Sequence, residues 1–408
     1  MDRTTAPFRW TSAISTRASL EAAVEEVVSE LQSGFEATPD LAMVFISSAF
    51  ASEYSRLLPL LHEAMDLPHL VGCSGGGVIG MMADDPMEVE GEPALSVGIA
   101  SLPEVQVHPF HICGQALPDL DSPPDQWIDL VGVAPDQNPQ FILMADPTST
   151  GINDLLQGLD FAYGGAPKVG GLASVDNLSR SSGLFCDRTL HKEGIVGVAL
   201  TGEIVLDTIV AQGCRPIGDT FQIAEVERNV LLTLEGPGAE SGRPPLEVLQ
   251  DIFQNLSEED RQLAQHSLFI GIAQNSFKQS LEPGDFLIRN LLGVDPKVGA
   301  IAVGDRLRPG QRIQFHLRDA HTSAEDLANL LKRYQQQQAV APAGALMFSC
   351  MGRGEGLYQE PNFDSEMFHR HLGPVPLNGC FCNGEIGPIG GSTFLHGYTS
   401  VFGICRRP

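Results

Sequence analysis

The sequence predicts an α/β protein with mixed parallel and antiparallel sheets flanked by helices, built from repeated strand-helix-strand units in two modules. One pattern occurs three times: an apolar strand, a polar loop, a stretch of helical period and a short strand ending in glycine-rich sequence. Each copy is followed by a further apolar strand. The interval from the first strand to the glycines is similar in the three copies, 72 − 44 = 28, 170 − 141 = 29 and 379 − 346 = 33 residues.

The three copies are not in tandem, because more than a hundred residues separate the second from the third. A duplicated α/β unit is therefore expected rather than a solenoid. Since each strand-helix-strand crossover is right-handed, its two strands should be parallel, whereas the closely spaced later strands should pair antiparallel. The predicted strands of the copies are 41–47, 69–73 and 95–100, then 141–146, 169–174 and 195–200, then 345–350, 377–380 and 401–404.

The segments between the copies follow ordinary helix and turn signals. An amphipathic helix precedes the first copy and ends at Gly34. A Pro- and Asp-rich connection, 118–139, holds a short helix at 124–131, and the run 213–218 breaks the pattern, so we place a domain boundary there. The predicted domains are 1–34, 35–219 and 220–408.

The last domain begins with further short strands and helices. A helix is predicted from Pro244, and Ser257 and Thr322 are predicted to open two more helices through capping boxes. The predicted strands here are 221–226, 230–234, 268–272, 286–291, 300–303 and 313–317.

Composition limits the classes of partner. A formal charge of −26 repels phosphate backbones and anionic lipid heads, so neither nucleic acid nor a membrane surface is expected as a partner. The first 18 residues lack the apolar core of a secretory signal, and no run approaches the roughly 20 apolar residues of a membrane span. The eight cysteines show no Cys-x-x-Cys spacing, and reduced, mostly buried thiols are expected. We therefore expect a cytoplasmic protein.

The glycine-rich sequences allow several interpretations. The run 72–76 fits a nucleophile elbow and 75–80 fits a dinucleotide fingerprint, but both motifs need a helix at the loop, and 81–86 has no helical period. The glycines can simply permit tight bends. Alternatively, loops of related units face a shared crevice, where bare amides approach a small ligand. The candidate ligand-binding residues of these loops are Gly72, Cys73, Ser74, Gly75, Gly170 and Gly171.

The third copy adds polar side chains that packing alone does not require. Arg353 follows a strand end and offers a clamp for a carboxylate, and Arg289 with Asn290 offers a second pair of donors. The structural alternative is an ion pair between Arg353 and Glu385. The candidates near this loop system are Cys350, Arg353, Asn383, Glu385, His396, Tyr398 and Thr399.

These residues resemble those of a known family. The runs 72–76, 146–147, 169–174 and 213–218 resemble the N-terminal FIST domain, and 289–296, 314–319, 348–354, 383–388 and 396–400 resemble the C-terminal one. The resemblance covers about residues 35 to 405. It implies a sensory module that binds small molecules such as amino acids, with haem in some relatives and an F-box in others. About 35 residues precede the module, too few for an F-box, kinase or receptor segment, so we expect any signal to leave through a protein partner.

The leading hypothesis is a non-enzymatic sensor that closes its two halves over a small ligand, such as an amino acid held by Arg353 or Arg289 and by Glu385. Three alternatives stay open. A haem sensor would use His396, His316 or Cys350 as axial ligand. An enzyme would use Cys73 or Cys350 as nucleophile. A scaffold would bind proteins without any small molecule.

Overall fold

The structure, a computed structural model, describes residues 7–174, 182–237, 241–275 and 278–408. Three copies of one pattern of strands and helices make up most of it. In the first helix, the Ser19 hydroxyl accepts a hydrogen bond from the amide of Ala22 at 3.2 Å and so caps the N-terminus. The elements of copy 1 are β1 (Arg9–Ser15), α1 (Leu20–Gly34), β2 (Leu41–Ser47), α2 (Tyr54–Ala64), β3 (Leu70–Gly75), β4 (Gly77–Met82), β5 (Asp85–Glu90) and β6 (Leu95–Ser101).

Copy 2 repeats this order of strands and helices. Its elements are β7 (Val105–Ile112), α3 (Pro124–Val131), β8 (Gln140–Ala145), α4 (Ile152–Ala162), β9 (Lys168–Leu172), β10 (Leu184–Cys186), β11 (Thr189–His191) and β12 (Ile195–Gly202). The short helix predicted at 124–131 is confirmed by α3.

Copy 3 begins with β13 (Val205–Ala211) and is interrupted by a six-stranded closed barrel of antiparallel strands. The barrel belongs to a compact unit of its own, Ala211–Leu327, and the three copies belong to the other unit, Met1–Val210 with Ala328–Pro408. The inserted elements are β14 (Cys214–Glu227), β15 (Val230–Glu235), α5 (Pro245–Asn255), α6 (Glu258–Ala264), β16 (Leu268–Ala273), β17 (Phe286–Asp295), β18 (Ala300–Val303) and β19 (Arg312–Arg318).

The chain then completes copy 3. The remaining elements are α7 (Ala320–Gln337), β20 (Gly344–Cys350), α8 (Glu355–Tyr358), α9 (Phe363–Leu372), β21 (Leu377–Cys382), β22 (Glu385–Ile389), β23 (Ser392–His396) and β24 (Ser400–Arg406). No helix in the described ranges combines the length and the apolar character needed to cross a bilayer.

Each copy builds its own sheet and lends a hairpin to another. In every copy the first two strands of the predicted unit are parallel, as predicted, and the downstream strand pairs antiparallel with the first. The fifth and sixth strands of each sheet come from a different copy. The strand orders are β1-β6-β2-β3-β10-β11, β7-β12-β8-β9-β22-β23 and β13-β24-β20-β21-β4-β5.

The first turn residue of each exchanged hairpin has a left-handed backbone. The φ angles are 55° at Ala83, 50° at Asp187 and 61° at Gly390. This conformation suits the tight turns that follow the twist of antiparallel strands. Three hairpins with the same turn geometry therefore each complete the sheet of another copy.

Burial on both faces explains why the strands of the copies are continuously apolar. On β2, Met43 and Phe45 belong to a central core that all three sheets share, whereas Ala42, Val44 and Ile46 pack with α1 and α2. The helices therefore cover the outer faces, and the inner faces of the sheets pack on one another.

One glycine per copy is required by the spacing of the parallel strands. Gly72, Gly170 and Gly379 face the fourth residue of β2, β8 and β20 in register. A Cβ placed on them would lie 1.9, 1.8 and 1.8 Å from the carbonyl oxygen of the facing residue. No side chain fits such a distance, which explains the repeated glycine that the sequence shows.

Several local predictions need correction. Gly72, Gly170 and Gly171 lie within strands, as the predicted strands 69–73 and 169–174 have them, but Gly75 was predicted in a loop and lies at the end of β3, where its missing side chain lets strands approach closely. The run 213–218 lies mostly in β14, whose register shifts between Ile217 and Phe221. The division of the chain into domains at residue 219 stays a prediction.

Two of the predicted helix starts have different outcomes. The cap at Ser257 is confirmed by its 3.0 Å hydrogen bond from the amide of Asp260. The cap at Thr322 is wrong, because α7 begins at Ala320, and Asp319 accepts from the amide of Thr322 at 2.7 Å.

We expect Gly72→Ala to lower the free energy of unfolding by at least about 2 kcal/mol, because the added methyl group must displace the backbone of β2. Urea unfolding measures the change. Gly34→Ala is the control, since a Cβ there meets nothing within 4 Å and Gly34 ends a helix, where alanine is the better helix former. Equal stability of Gly72→Ala and wild type would contradict this packing argument.

Candidate functional site

Three backbone hydrogen bonds join the ends of β3, β9 and β21. In each copy the amide four residues after the repeated glycine donates to the carbonyl two residues after that glycine in another copy. The bonds run from Gly76 to Phe381 (3.1 Å), from Ser174 to Ser74 (3.0 Å) and from Asn383 to Leu172 (3.2 Å). This closed ring of bonds, which we call the axial ring, brings the glycine-bearing segments of the three copies to one place.

The predicted glycine-loop residues meet here, but they pack against one another. The Ser74 hydroxyl donates to the Ser174 carbonyl at 3.2 Å and accepts from the Gly183 amide at 2.9 Å. Cβ atoms added at Gly75 or Gly171 would lie within 2.7 Å of Cys380 or Cys382. The convergence of these segments is therefore as expected, whereas the cavities beside α2 and α9 are lined by none of them.

Three buried thiols lie beside the axial ring. The sulfur of Cys380 lies 3.8 Å from that of Cys73 and 3.6 Å from that of Cys382. The contact with Cys380 and burial raise the pKa of the Cys73 thiol well above its ordinary value, so Cys73 is a poor nucleophile at neutral pH. Cys350 is half-buried, and its sulfur accepts from the Gly352 amide at 3.4 Å. Within the described ranges, no three histidine, cysteine, aspartate or glutamate side chains are arranged to hold a metal ion.

The polar cluster predicted in copy 3 forms around the hairpin of β22 and β23. Glu385 faces His396 in register, and its Oε2 accepts from the Thr399 amide at 3.0 Å. His396 Nε2 lies 2.9 Å from the Gly387 carbonyl oxygen, which only accepts, so this nitrogen carries the proton. Tyr398 has a left-handed φ of 63°. Glu385, His396 and Thr399 are buried, and these hydrogen bonds of Glu385 and His396 are made to the protein's own backbone.

Arg353 is the main correction to the predicted site. Its side chain is fully buried, with Nε 2.8 Å from Asp364 Oδ2 and one terminal nitrogen 3.0 Å from Oδ1 and 2.5 Å from the Tyr358 hydroxyl. The carboxylate that Arg353 clamps is therefore that of Asp364. Burial would raise the pKa of Asp364, but the guanidinium beside it holds that pKa below its ordinary value.

Glu88 extends this buried network and was missed in the sequence. Its Oε1 accepts from the Ser365 amide at 2.7 Å, and its own amide donates to Asn362 Oδ1 at 2.7 Å. Burial, and then the charge of Asp364, raise the pKa of Glu88 to about 8. The only signal in the sequence was the alternation of Pro86, Glu88 and Glu90 along β5, which places a carboxylate on a buried face.

Arg289, Asn290 and His316 lie on strands of the barrel unit. Arg289 Nε donates to Asp305 at 2.6 Å, so this arginine also has a carboxylate within its own unit. His316 is fully buried, with Nδ1 3.0 Å from the Gln314 carbonyl, and burial lowers its pKa to about 4. The imidazole packs edge-on against Phe286, on the face of β19 opposite to Phe315 and Leu317 in the barrel core.

A cavity of about 590 Å³ lies between the β4–β5 hairpin and α9. We call it the hairpin–helix cavity. Its walls come from both predicted modules, since one wall belongs to copy 1 and the other to copy 3. The lining residues are Met82, Asp85, Pro86, Met87, Asn362, Glu366, His369 and Arg370.

Comparison of the three copies shows what is special about this cavity. Each exchanged hairpin packs on a helix, and one helix residue stands ten positions before the repeated glycine, 72 − 62 = 170 − 160 = 379 − 369 = 10. His62 Nε2 lies 3.1 Å from the Asp187 carbonyl, and Asp160 accepts from the Thr393 amide at 2.6 Å. His369 and His62 both line cavities and both have a buried Nδ1 without a hydrogen-bond partner among the described residues, but the bond from the ring to the hairpin is made only by His62 of the two.

The equivalent interface of α2 carries a smaller cavity of about 420 Å³. There the bond from His62 ties the helix to the hairpin turn. Its lining residues are Leu58, Pro59, His62, Glu63 and Arg188.

The hairpin–helix cavity presents opposite charges to a ligand. Asp85 contributes a carboxylate from the hairpin, and Glu366 and Arg370 contribute a carboxylate and a guanidinium from α9. Within the described ranges, none of these three charged groups takes part in an ion pair. Met82 and Met87 supply a polarizable apolar wall. Such a site fits a small molecule with a cationic and an anionic end.

Arg353→Met is expected to lower the free energy of unfolding by about 3–5 kcal/mol, because Asp364 would stay buried without its cation. Arg17→Met is the control, since Arg17 pairs with Glu26 on the surface, where such pairs contribute about 0–1 kcal/mol. Urea unfolding of both variants tests the difference. A loss for Arg353→Met no larger than that for Arg17→Met would rule out a stabilising role for the buried pair.

Glu88→Gln should change how stability depends on pH. Because folding raises the pKa of Glu88 from about 4.5 to about 8, the folded state holds an extra proton between these values. Its contribution to stability is complete below pH 4.5 and is lost as pH rises through 8, at up to about 1.4 kcal/mol per pH unit. In melting curves from pH 5 to 9, the stability of Glu88→Gln relative to that of wild type should increase as the pH rises. Parallel profiles would contradict the assignment, and Glu92→Gln, on the exposed surface, is the control.

Two protein-family models match the chain. The FIST N domain model matches residues 40–237 and the FIST C domain model matches residues 245–388. An uncharacterized protein of Mycobacterium tuberculosis is 33% identical over 390 residues, which cover 95% of this chain and 96% of that protein. An uncharacterized protein of Mycobacterium bovis is 32% identical over 368 residues, 90% of each chain.

Two further similarities are weaker. An F-box/LRR-repeat protein of Arabidopsis thaliana is 24% identical over 258 residues, which cover 56% of this chain and 47% of that protein. A solved cyanuric acid hydrolase from A. caulinodans aligns over 98% of this chain and 100% of its own, at 10% identity and a TM-score of 0.33, too low to support an argument. The two family domains and the mycobacterial relatives show that the chain belongs to the FIST family of sensory signal-transduction domains.

Proposed function

We propose that this protein senses a small metabolite by binding an amino acid, or a similar small zwitterion, in the hairpin–helix cavity. The observation that carries the proposal is the cavity itself, which places the carboxylates of Asp85 and Glu366 and the guanidinium of Arg370 around a volume of about 590 Å³. A volume of this size falls in the range of small-molecule sites. The FIST domains support the sensory role.

Each charged end of an amino acid has a complementary group in this cavity. Arg370 offers a planar fork that suits a carboxylate, and Asp85 with Glu366 offers acceptors for an ammonium group. His369 adds an imidazole to the same wall. The ligand's side chain would lie against Met82 and Met87, whose flexible thioethers adapt to different shapes.

Binding would act on α9, which carries three lining residues. The opposite side of the helix holds Asp364, which pairs with Arg353. A ligand that changes the position of α9 relative to the hairpin would therefore also act on the buried pair, and the new surface would be read by a protein partner. All eight cysteines are free thiols, which supports the proposal of a reducing, cytoplasmic location.

Isothermal titration with each of the twenty proteinogenic amino acids tests the proposal. We expect heat of binding with at least one of them, and Arg370→Ala should weaken that binding about tenfold or more, because a charge-assisted hydrogen bond is lost. Arg188→Ala is the matched control, since Arg188 lines the equivalent cavity beside α2, and its affinity should equal that of wild type.

Two results would count against this site. Absence of heat with every amino acid would exclude amino acids as the ligand. Equal affinity of Arg370→Ala and Arg188→Ala for an amino acid that binds wild type would move the ligand away from the hairpin–helix cavity.

A further inference from the structure

We propose that ligand binding in the hairpin–helix cavity releases a proton from Glu88, so that the sensor responds to ligand and pH together. This inference rests on the proposed function, because it concerns the same cavity. It adds a regulatory group that does not itself line the cavity and that the resemblance to the family does not assign.

Glu88 is connected to both walls of the cavity. It follows Met87 on β5, and its amide donates to the side chain of Asn362 at 2.7 Å; Met87 and Asn362 both line the cavity. Its Oε1 accepts from the amide of Ser365, in the first turn of α9, one residue before the lining residue Glu366. A change in the position of α9 must therefore change the surroundings of the Glu88 carboxyl group.

The charges around Glu88 favour its neutral form. Asp364 on α9 takes the fork of Arg353, so this guanidinium is already paired with a carboxylate other than that of Glu88. The hydroxyl of Tyr358, on α8, is neutral. Glu90, on the same strand as Glu88, is a further carboxylate that disfavours ionisation of Glu88. Glu88 is 8% exposed and its Oε2 has no hydrogen-bond partner among the described residues. Burial and the charge of Asp364 raise the pKa of Glu88 to about 8, so the group carries a proton at neutral pH.

A bound cation would reverse this balance. An ammonium group held by Asp85 and Glu366 brings a positive charge to the wall formed by β5 and α9, and a nearby positive charge favours the ionised form of a carboxyl group. The O–H bond at Glu88 breaks, its electron pair stays on the carboxylate, and the proton passes to the buffer. The coupling is reciprocal, so a rise in pH would tighten binding.

Isothermal titration at pH 7 in two buffers of different ionisation enthalpy, phosphate and Tris, counts the protons released when each of the twenty proteinogenic amino acids binds. We expect release approaching one proton per bound amino acid for wild type and none for Glu88→Gln. Glu92→Gln is the control, because Glu92 is an exposed glutamate two residues beyond β5, and it should release the same number of protons as wild type.

Infrared spectra of the ligand-free protein provide a second measurement. Wild type labelled with carbon-13 glutamate should show the carbonyl band of a protonated carboxyl group at pH 7 that disappears above pH 9, and Glu88→Gln should lack it. This measurement on wild type remains decisive if the variant does not fold.

The outcomes separate the two proposals. Amino acid binding without proton release, or with equal release by Glu88→Gln, would overturn the coupling and leave the proposed function intact. An ionised Glu88 in the infrared spectrum at pH 7 would also overturn the coupling. Absence of binding by every amino acid would overturn the proposed function, and the coupling with it.

Discussion

The close approach of strands at the axial ring is the constraint on which the copies depend. Gly72, Gly170 and Gly379 allow each parallel pair to pack at a distance that no side chain permits, and four residues later each segment donates an amide to another copy. Because the ring closes only when all three segments are present, each copy needs the other two. The exchanged hairpins follow from the same arrangement, since each chain segment leaves the ring toward a neighbouring sheet rather than its own. The apolar inner faces of the sheets then form one shared core.

Repetition of the same interface three times shows where the protein departs from its own pattern. At two of the three contacts between helix and hairpin, His62 and Asp160 tie the elements together. At the third, His369 faces the hairpin–helix cavity, and the contacts between the same elements move to Glu88 and the first turn of α9. The charged residues Asp85, Glu366 and Arg370 line the cavity at this interface, which supports the proposed ligand site. The buried pair of Arg353 and Asp364 gives that interface a rigid support.

The sequence was sufficient to predict the α/β class, the threefold pattern and the parallel pairing within each copy, because apolar strands and glycines recur at similar intervals. It was not sufficient for the exchange of hairpins, since strand pairing between distant segments leaves no local signal. The residues of the predicted site were chosen by their chemical type. The structure brings Ser74, Gly171 and Glu385 close to the axial ring, where they contact other parts of the protein. Arg353 was recognised as a clamp, but its partner Asp364 lies on a helix whose period only indicated a buried face. Glu88 and the lining residues of α9 escaped notice because they look like ordinary polar positions of a strand and a helix.

A crystal structure of the protein grown with a mixture of amino acids would test the central claim most directly. We predict density for a small zwitterion in the hairpin–helix cavity, with its carboxylate against Arg370 and its ammonium group near Asp85 and Glu366. A ligand bound elsewhere, with only solvent between the β4–β5 hairpin and α9, would contradict the assignment of the site.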